Sequence, residues 1–332
     1  MRNITIGDNE GNQRLDRFLR KYLPGASLSL VYRLARKNVK VNGERVGSER
    51  MLCAGDEVSL FLGEEKIDEM RRERKKTVRA KRQFRIAFED DNVLVVDKPF
   101  GLLTHGDSRE KKNTLANQVL GYLAEQGVYD PASSTTFAPA PVNRLDRNTT
   151  GLVVFGKNAD AVRDFNKMMR ISGDADKYYL TVVKGRLTQK LILRDRMVKD
   201  GAQNLVTVLP SDADSGKLME TIAEPVEYQG SYTLVEVRLV TGRTHQIRAH
   251  LAKAGYPVVG DAKYGDRVTN RYFEHAFGLT TQFLHAHRIR INRGEGSLTY
   301  LSSSVFESEL PENFTRILQA LRREARGRGA RR

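Results

Sequence analysis

The chain has 332 residues, 39% of them hydrophobic, enough for about two packed domains and too apolar for a disordered polymer. Its 56 Lys and Arg against 41 Asp and Glu leave a net charge of +15, which points to a phosphate polymer as partner, nucleic acid first. A lone Cys53 excludes an internal disulfide and a multi-thiolate zinc site and reads as a small buried residue, while the absence of a signal-like start or a long apolar run leads us to expect a reducing, cytoplasmic setting and no membrane.

Taken in chain order, Leu15, Phe18, Leu19, Tyr22 and Leu23 recur on one helical face until Pro24-Gly25 stops them. In the next helix Leu28, Val31, Leu34 and Ala35 can point inward. Arg33, Arg36 and Lys37, at i, i+3 and i+4, then form an outward basic strip suited to phosphates. Val39 and Val41 lead into the turn signal Asn42-Gly43, and Gly55-Asp56 precedes an alternating strand up to Leu62. Residues 1–62 thus read as a small α+β domain, followed by a basic linker over 63–84. Between Arg71 and Arg85 that linker carries nine Lys and Arg against one Glu.

A second domain is expected over 85–310. It has a compact apolar strand at Val93 to Val96, a helix over 114–124, a buried strand from Gly151 to Phe155 and a helical NADAVRDFNKMMR. The runs YYLTVV, LVTVL, AEPVEY, YTLVEVRLV and SLTYL then read as strands. The class is α+β with a large mixed, mainly antiparallel sheet flanked by helices and loops. Residues 311–332 read as a C-terminal helix ending in a frayed basic tail, RREARGRGARR.

Four segments hold residues capable of chemistry. Asp97-Lys98-Pro99-Phe100-Gly101, with His105 soon after, is by itself an ordinary strand-end turn. Asn143 to Gly151 is a charged loop that empties into a buried strand, where Asp146 could simply cap its own turn. In Lys177-Tyr178-Tyr179-Leu180 one tyrosine must face the core side and the other the opposite side. From Thr241 to Leu251, Thr244 is a plausible N-cap, Ile247 and Leu251 share an inner face, and Arg248 sits at its edge, where a guanidinium needs a carboxylate or phosphate. Asp146 is one candidate partner. His245 and His250 lie five apart, so they diverge on a helix and no metal site is expected among them, His285 and His287. Neither a phosphate loop, a dinucleotide fingerprint nor a serine nucleophile elbow is present.

In order, DKPFG, NRLDRNTTG, KYYL, GRTHQIR, GDAKYG and FLHAHRI resemble the motifs of the RluA family of RNA pseudouridine synthases, and residues 14–62 resemble the ribosomal-protein-type (alpha-L) RNA-binding module that precedes many of them. The resemblance implies the pseudouridine synthase fold and the isomerisation of uridine in RNA, without cofactor or metal. Asp146 would be the catalytic carboxylate, Arg248 the group that holds and aims it, and Tyr179 a residue that lies against the flipped base or takes part in sugar deprotonation. Arg147 would fill the gap left by the base or grip phosphate, and Arg144, Arg243, His245, Gln246, Lys98 and His105 would join Arg33, Arg36 and Lys37 in contacting RNA. Large-subunit ribosomal RNA leads as the partner, with transfer RNA second, and a monomer is expected. An idle RNA-binding or ribosome-assembly protein is the alternative. Asn143 where the family usually has His, Thr150 where it has Ser, and Leu180-Thr181 where Leu-Ala is common are the departures.

Overall fold

The computed structural model describes residues 1–71, 80–131, 134–171, 173–200 and 205–329, with side chains as far as residue 326. Near the N-terminus, β1 (Arg2–Thr5) and β2 (Gln13–Arg14) lead into α1 (Leu15–Tyr22), which buries Leu15, Phe18, Leu19 and Tyr22 as their spacing requires. Helix α2 (Leu28–Lys37) starts at Ser27, whose hydroxyl accepts the Leu30 amide at 3.3 Å. It buries Val31, Leu34 and Ala35, whereas Leu28, expected inward, lies in the first turn outside that stripe and is 50% exposed. Strands β3 (Val39–Val41), β4 (Met51–Leu52) and β5 (Glu57–Leu60) follow, and β1, β5 and β3 form an antiparallel sheet of their own. The turn after β3 places both Asn42 (φ 52) and Gly43 (φ 81) in left-handed conformations. Cys53 is exposed rather than buried, because Leu52 takes the inward position and the Cys53 amide is engaged by Asp56 Oδ2 at 2.8 Å.

The first boundary differs from expectation. Residues Glu64–Arg71 form α3, and its Ile67 and Met70 complete the same apolar core, so the segment expected to begin a linker at 63 is helical. Residues 72–79 of the linker lie outside the described residues. The chain divides into two compact units, and the first gathers Met1–Arg82 with Ala116–Ala140 and Gly156–Arg163 rather than 1–62 alone. Within it, Asn9 Oδ1 accepts the Ala159 amide at 2.8 Å and Glu10 Oε1 accepts the Thr136 amide at 3.1 Å.

The second unit is built on a sheet of eleven strands. Along the chain come β6 (Arg85–Glu89), β7 (Val93–Lys98), α4 (Leu115–Glu125), β8 (Ala140–Pro141), β9 (Thr150–Gly156) and α5 (Ala159–Met168), of which α4 from Ala116 and the first half of α5 fall in the first unit. Next are β10 (Ala175–Lys184), β11 (Leu191–Asp200), β12 (Leu205–Leu209), β13 (Lys217–Gln229) and β14 (Tyr232–Leu239). Helices α6 (Gln246–Lys253) and α7 (Arg267–Phe277), strands β15 (Leu284–Ile291) and β16 (Val305–Glu307), and helix α8 (Glu312–Gly329) complete it. The order is β12-β11-β13-β14-β10-β15-β9-β7-β6, with β8 added to β9 and β16 to β15. The strands from β10 to β14 pair antiparallel, as do β6 with β7 and β15 with β10 and β16, but β9 and β15 run parallel through Thr150 opposite His285 and Gly151 opposite Ala286. Gly151 has φ +105, and a Cβ there would lie 2.2 Å from the Ala286 carbonyl oxygen, so only glycine permits this close pairing.

Two expectations fail in this unit. The run SLTYL lies in a 3-10 helix, Gly296–Leu301, because its buried leucines, Leu298 and Leu301, are three apart rather than two. The segment RREARGRG also continues α8, whose Phe314, Ile317, Leu318 and Leu321 pack with Val182, Leu234, Phe273 and Phe283. The rings of Phe283 and Phe314 stack at 3.9 Å and anchor the helix ahead of its basic segment, while residues 330–332 lie outside the described residues.

Candidate active site

A polar loop, residues 143–149, meets α6 and β10 at a cleft lined by Arg144, Leu145, Asp146, Thr149, Tyr179, Leu239, Arg243, His245, Gln246, Ile247, Arg248 and Leu284. The loop is held at nearly every residue. Asn143 donates from Nδ2 to the Leu152 carbonyl at 3.1 Å and accepts the Val154 amide at 2.8 Å, mimicking a strand neighbour for β9. A planar amide supplies this donor and acceptor side by side, which gives a structural reason for Asn at this departure from the family pattern. Thr104 Oγ1 exchanges hydrogen bonds with the Leu145 carbonyl and amide, both at 3.1 Å, and the Thr149 amide closes the turn on the Asp146 carbonyl at 3.1 Å. The main chain therefore closes this turn, leaving the Asp146 carboxylate free to point elsewhere.

Lys98, expected to contact RNA, is instead enclosed, at 0% exposure. Its Nζ donates to the carbonyls of Pro99 at 3.1 Å, Leu102 at 2.7 Å and Arg147 at 2.9 Å. Burial pushes its pKa down to about 7 against the opposing pull of Asp146 and Asp97. Three carbonyl acceptors use all three hydrogens of an ammonium, so Lys98 ties the residue after Asp146 to the end of β7.

Asp146 and Arg248 meet as the need of a buried guanidinium foretold. Arg248 Nη1 donates to Asp146 Oδ2 at 3.0 Å, with the carboxylate side chain 27% exposed and the arginine side chain 6%. A second carboxylate, with no role assigned from the sequence, completes the clamp: Asp261 accepts from Arg248 Nε and Nη2, both at 2.7 Å. Asp261 also accepts the amides of Lys263 at 2.8 Å and Tyr264 at 3.2 Å. Burial would raise its carboxyl pKa, but the Arg248 hydrogen bonds and charge, with these amides, hold it below the ordinary value.

Tyr179 faces the core side of β10 at 5% exposure, while Tyr178 lies on the other face under the Arg288 guanidinium at 4.4 Å. Burial and the nearby Asp146 charge push the Tyr179 hydroxyl well above its usual pKa. That hydroxyl lines the cleft with no hydrogen-bond partner among the described residues.

The remaining expected contacts divide. Arg144 and Arg243 are exposed at the cleft, and Arg147 is exposed outside its lining with Asp107 Oδ2 3.8 Å away. His105 is also exposed and outside the lining. Gln246, expected to bind RNA, is consumed by the protein: Nε2 donates to the Glu220 carbonyl and Thr221 Oγ1, both at 2.9 Å, and Oε1 accepts from Thr241 Oγ1 at 2.8 Å and the Arg243 amide at 3.1 Å. This network starts α6 at Gln246, with His245 and not Thr244 at the N-cap position. His245 is buried, its Nδ1 3.0 Å from the Tyr264 hydroxyl. Arg33, Arg36 and Lys37 belong to the other unit, exposed on the outer face of α2. The other histidines of the sequence cluster are occupied: His250 with Thr221 and Asp195, His285 with Thr150, and His287 with Glu236.

The family model described as RNA pseudouridylate synthase matches residues 92–253. Ribosomal large subunit pseudouridine synthase C of Escherichia coli (strain K12) is 33% identical over 330 residues, covering 96% of each chain. The chain belongs to the RluA family of RNA pseudouridine synthases. The protein of the same name from Vibrio vulnificus (strain CMCP6) is 33% identical over 291 residues, 86% of this chain and 87% of that one. Human RNA Pseudouridylate Synthase Domain Containing 4 matches with a TM-score of 0.54 at 22% identity, over 71% of this chain and 92% of that one, a likeness of fold. The large mixed sheet flanked by helices is accordingly the pseudouridine synthase fold, and the chain is an isomerase with RNA as its partner.

Proposed function

We propose that the protein isomerises uridine to pseudouridine in large-subunit ribosomal RNA, with Asp146 as the essential carboxylate. In the reaction the C1′–N1 bond breaks, the base turns within the cleft, C1′ joins C5, and the hydrogen at C5 is lost while one is gained at N1. No atom is lost and no electron is exchanged with a partner, so the chemistry asks for no cofactor. It does ask for a carboxylate beside the sugar, able to stabilise positive charge at C1′, attack it or accept a proton. One observation carries the proposal: Asp146 sits in a cleft on an Arg248 clamp, next to a tyrosine hydroxyl left without a protein partner. A protein that only bound RNA would need positive charge, not a carboxylate held by a buried guanidinium.

A uridine in folded RNA must leave its stack to reach this cleft. Arg144 and Arg243 stand at the cleft and Arg147 nearby, where they can meet phosphate or the vacated space. The exposed strip Arg33, Arg36 and Lys37 gives the N-terminal unit a phosphate-binding face of the alpha-L type. The names of the bacterial relatives favour ribosomal over transfer RNA, and this reading takes the protein to work as a monomer in the cytoplasm. The test is to incubate purified protein, with chelator and no added cofactor, with RNA from a strain lacking the gene, and to map new pseudouridines. They are expected in large-subunit ribosomal RNA; new sites confined to transfer RNA would overturn the target, and none would overturn the activity.

A further inference from the structure

A guanidinium and an imidazole converge on one oxygen of the Asp146 carboxylate. Arg248 Nη1 lies 3.0 Å and His245 Nε2 3.9 Å from Oδ2, while Oδ1 has no partner among the described residues. The imidazole is oriented from behind. The Val206 amide donates to the Tyr264 hydroxyl oxygen at 2.8 Å, and that hydroxyl lies 3.0 Å from His245 Nδ1. Tyr264 Oη finds no other acceptor for its proton among the described residues. With that hydroxyl donating to Nδ1, the hydrogen of the neutral ring stands on Nε2, the atom directed at Asp146.

The backbone at His245 points the same way. Its φ of 53 is left-handed, a conformation unfavourable for a β-carbon-bearing residue that persists where the surroundings hold it. Here the Ala249 amide on the His245 carbonyl at 3.0 Å and the Gln246 network on either side hold it, and the ring is turned into the cleft.

We propose that His245 is a positioning residue for the isomerisation: fixed in one tautomer by Tyr264, it joins Arg248 in holding Oδ2 of Asp146 and so commits Oδ1 to the ribose. The 3.9 Å separation is one that substrate binding can close, since such contacts commonly tighten once a site is filled. Burial, with the charges of Arg248 and Lys263, lowers the imidazole pKa against the pull of Asp146 and Asp261, in keeping with a neutral ring that donates through Nε2. The inference rests on the functional reading above, in that Asp146 must be the reacting carboxylate.

Single-turnover conversion of uridine in ribosomal RNA tests it, with RNA affinity measured alongside. His245→Asn suits the left-handed backbone and can accept from Tyr264, but its shorter side chain cannot reach Asp146. It should lower the rate roughly 10- to 100-fold while affinity stays within about twofold. His245→Gln reaches the position of Nε2 with an N–H and should restore most of the rate, which a purely structural role for the ring would not predict. Tyr264→Phe should slow the parent yet add nothing to His245→Asn, because the two changes break one chain of contacts. A parent-like rate for His245→Asn, no recovery in His245→Gln, or an additive effect of Tyr264→Phe would each overturn the proposal. Conversion by the parent with no conversion by Asp146→Asn, run as controls, keeps its failure distinct from failure of the functional reading.

Discussion

Replacing Asp261 with Asn should damage the enzyme without touching any group that faces the substrate. The residue is fully buried and takes two 2.7 Å hydrogen bonds from Arg248, itself 5% exposed. Without the Asp261 charge, the guanidinium keeps only the partly exposed Asp146, and one oxygen of the former carboxylate becomes an NH2 facing its N–H groups. Removing one partner of a buried pair costs about 3–5 kcal/mol, and Asn, which retains one acceptor, belongs near the lower figure. At roughly 2–4 °C per kcal/mol for a domain of this size, the melting temperature should fall by about 6–12 °C. Because the folded carboxyl has the lower pKa, its contribution is full above the unfolded value of about 3.9 and is lost as the pH falls below it. Turnover should fall with stability, since Arg248 loses the anchor that aims it at Asp146. Calorimetry and single-turnover isomerisation measure the two effects. Arg248→Met with Asp261→Leu should be more stable than either single variant, although inactive. A melting point within about 2 °C of the parent and an unchanged rate for Asp261→Asn would refute the reasoning.

Lys98→Met leaves three carbonyls without their donor, and we expect a loss of about 2–4 kcal/mol in denaturant unfolding together with a rate that falls more than RNA affinity does. His285, at 0% exposure, has its pKa pushed by burial down to about 4 from 6.5. As pH falls from 6.5 toward 4 the unfolded chain takes the proton first, so about 3 kcal/mol of stability present above that window is lost within it. His285→Asn, which keeps an acceptor for Thr150, should flatten melting temperature against pH there. Changing Arg33, Arg36 and Lys37 together to Ala should weaken RNA binding and reduce the salt slope by about 2 to 3, at roughly 0.7–0.9 per lost phosphate contact, and an unchanged slope would move the RNA contact elsewhere.

Periodicity made the regular parts legible. The i, i+3, i+4 runs of α1 and α2 and the alternation of β10 and β14 correspond to the faces they bury, and the split between Tyr178 and Tyr179 follows from the pleat. The partner of Arg248 could be sought because a buried guanidinium needs an anion, and Asp146 supplies it. Asp261 was not legible, because it stands in a loop with no period, 13 residues on, and only the tertiary fold closes that distance. The spacing of Asp and Tyr in GDAKYG was its one signal. Lys98 and Gln246 look from the sequence like groups for a polyanion. In the fold they meet carbonyls and hydroxyls of the protein, an enclosure no local pattern encodes. Sequence charge likewise suggested a frayed end at the basic C-terminus, where the helix anchored by Phe314, Ile317, Leu318 and Leu321 continues to Gly329.

Asp146→Asn is the most direct test of the central claim. The substitution preserves shape and an acceptor for Arg248 and removes only the charge, so the melting curve and RNA affinity should stay close to those of the parent. The measurement is conversion of uridine in large-subunit ribosomal RNA extracted from a strain lacking the gene, with metals chelated and no cofactor added. The account predicts pseudouridine with the parent protein and none above background with Asp146→Asn. Conversion by the variant at the parent rate would contradict it.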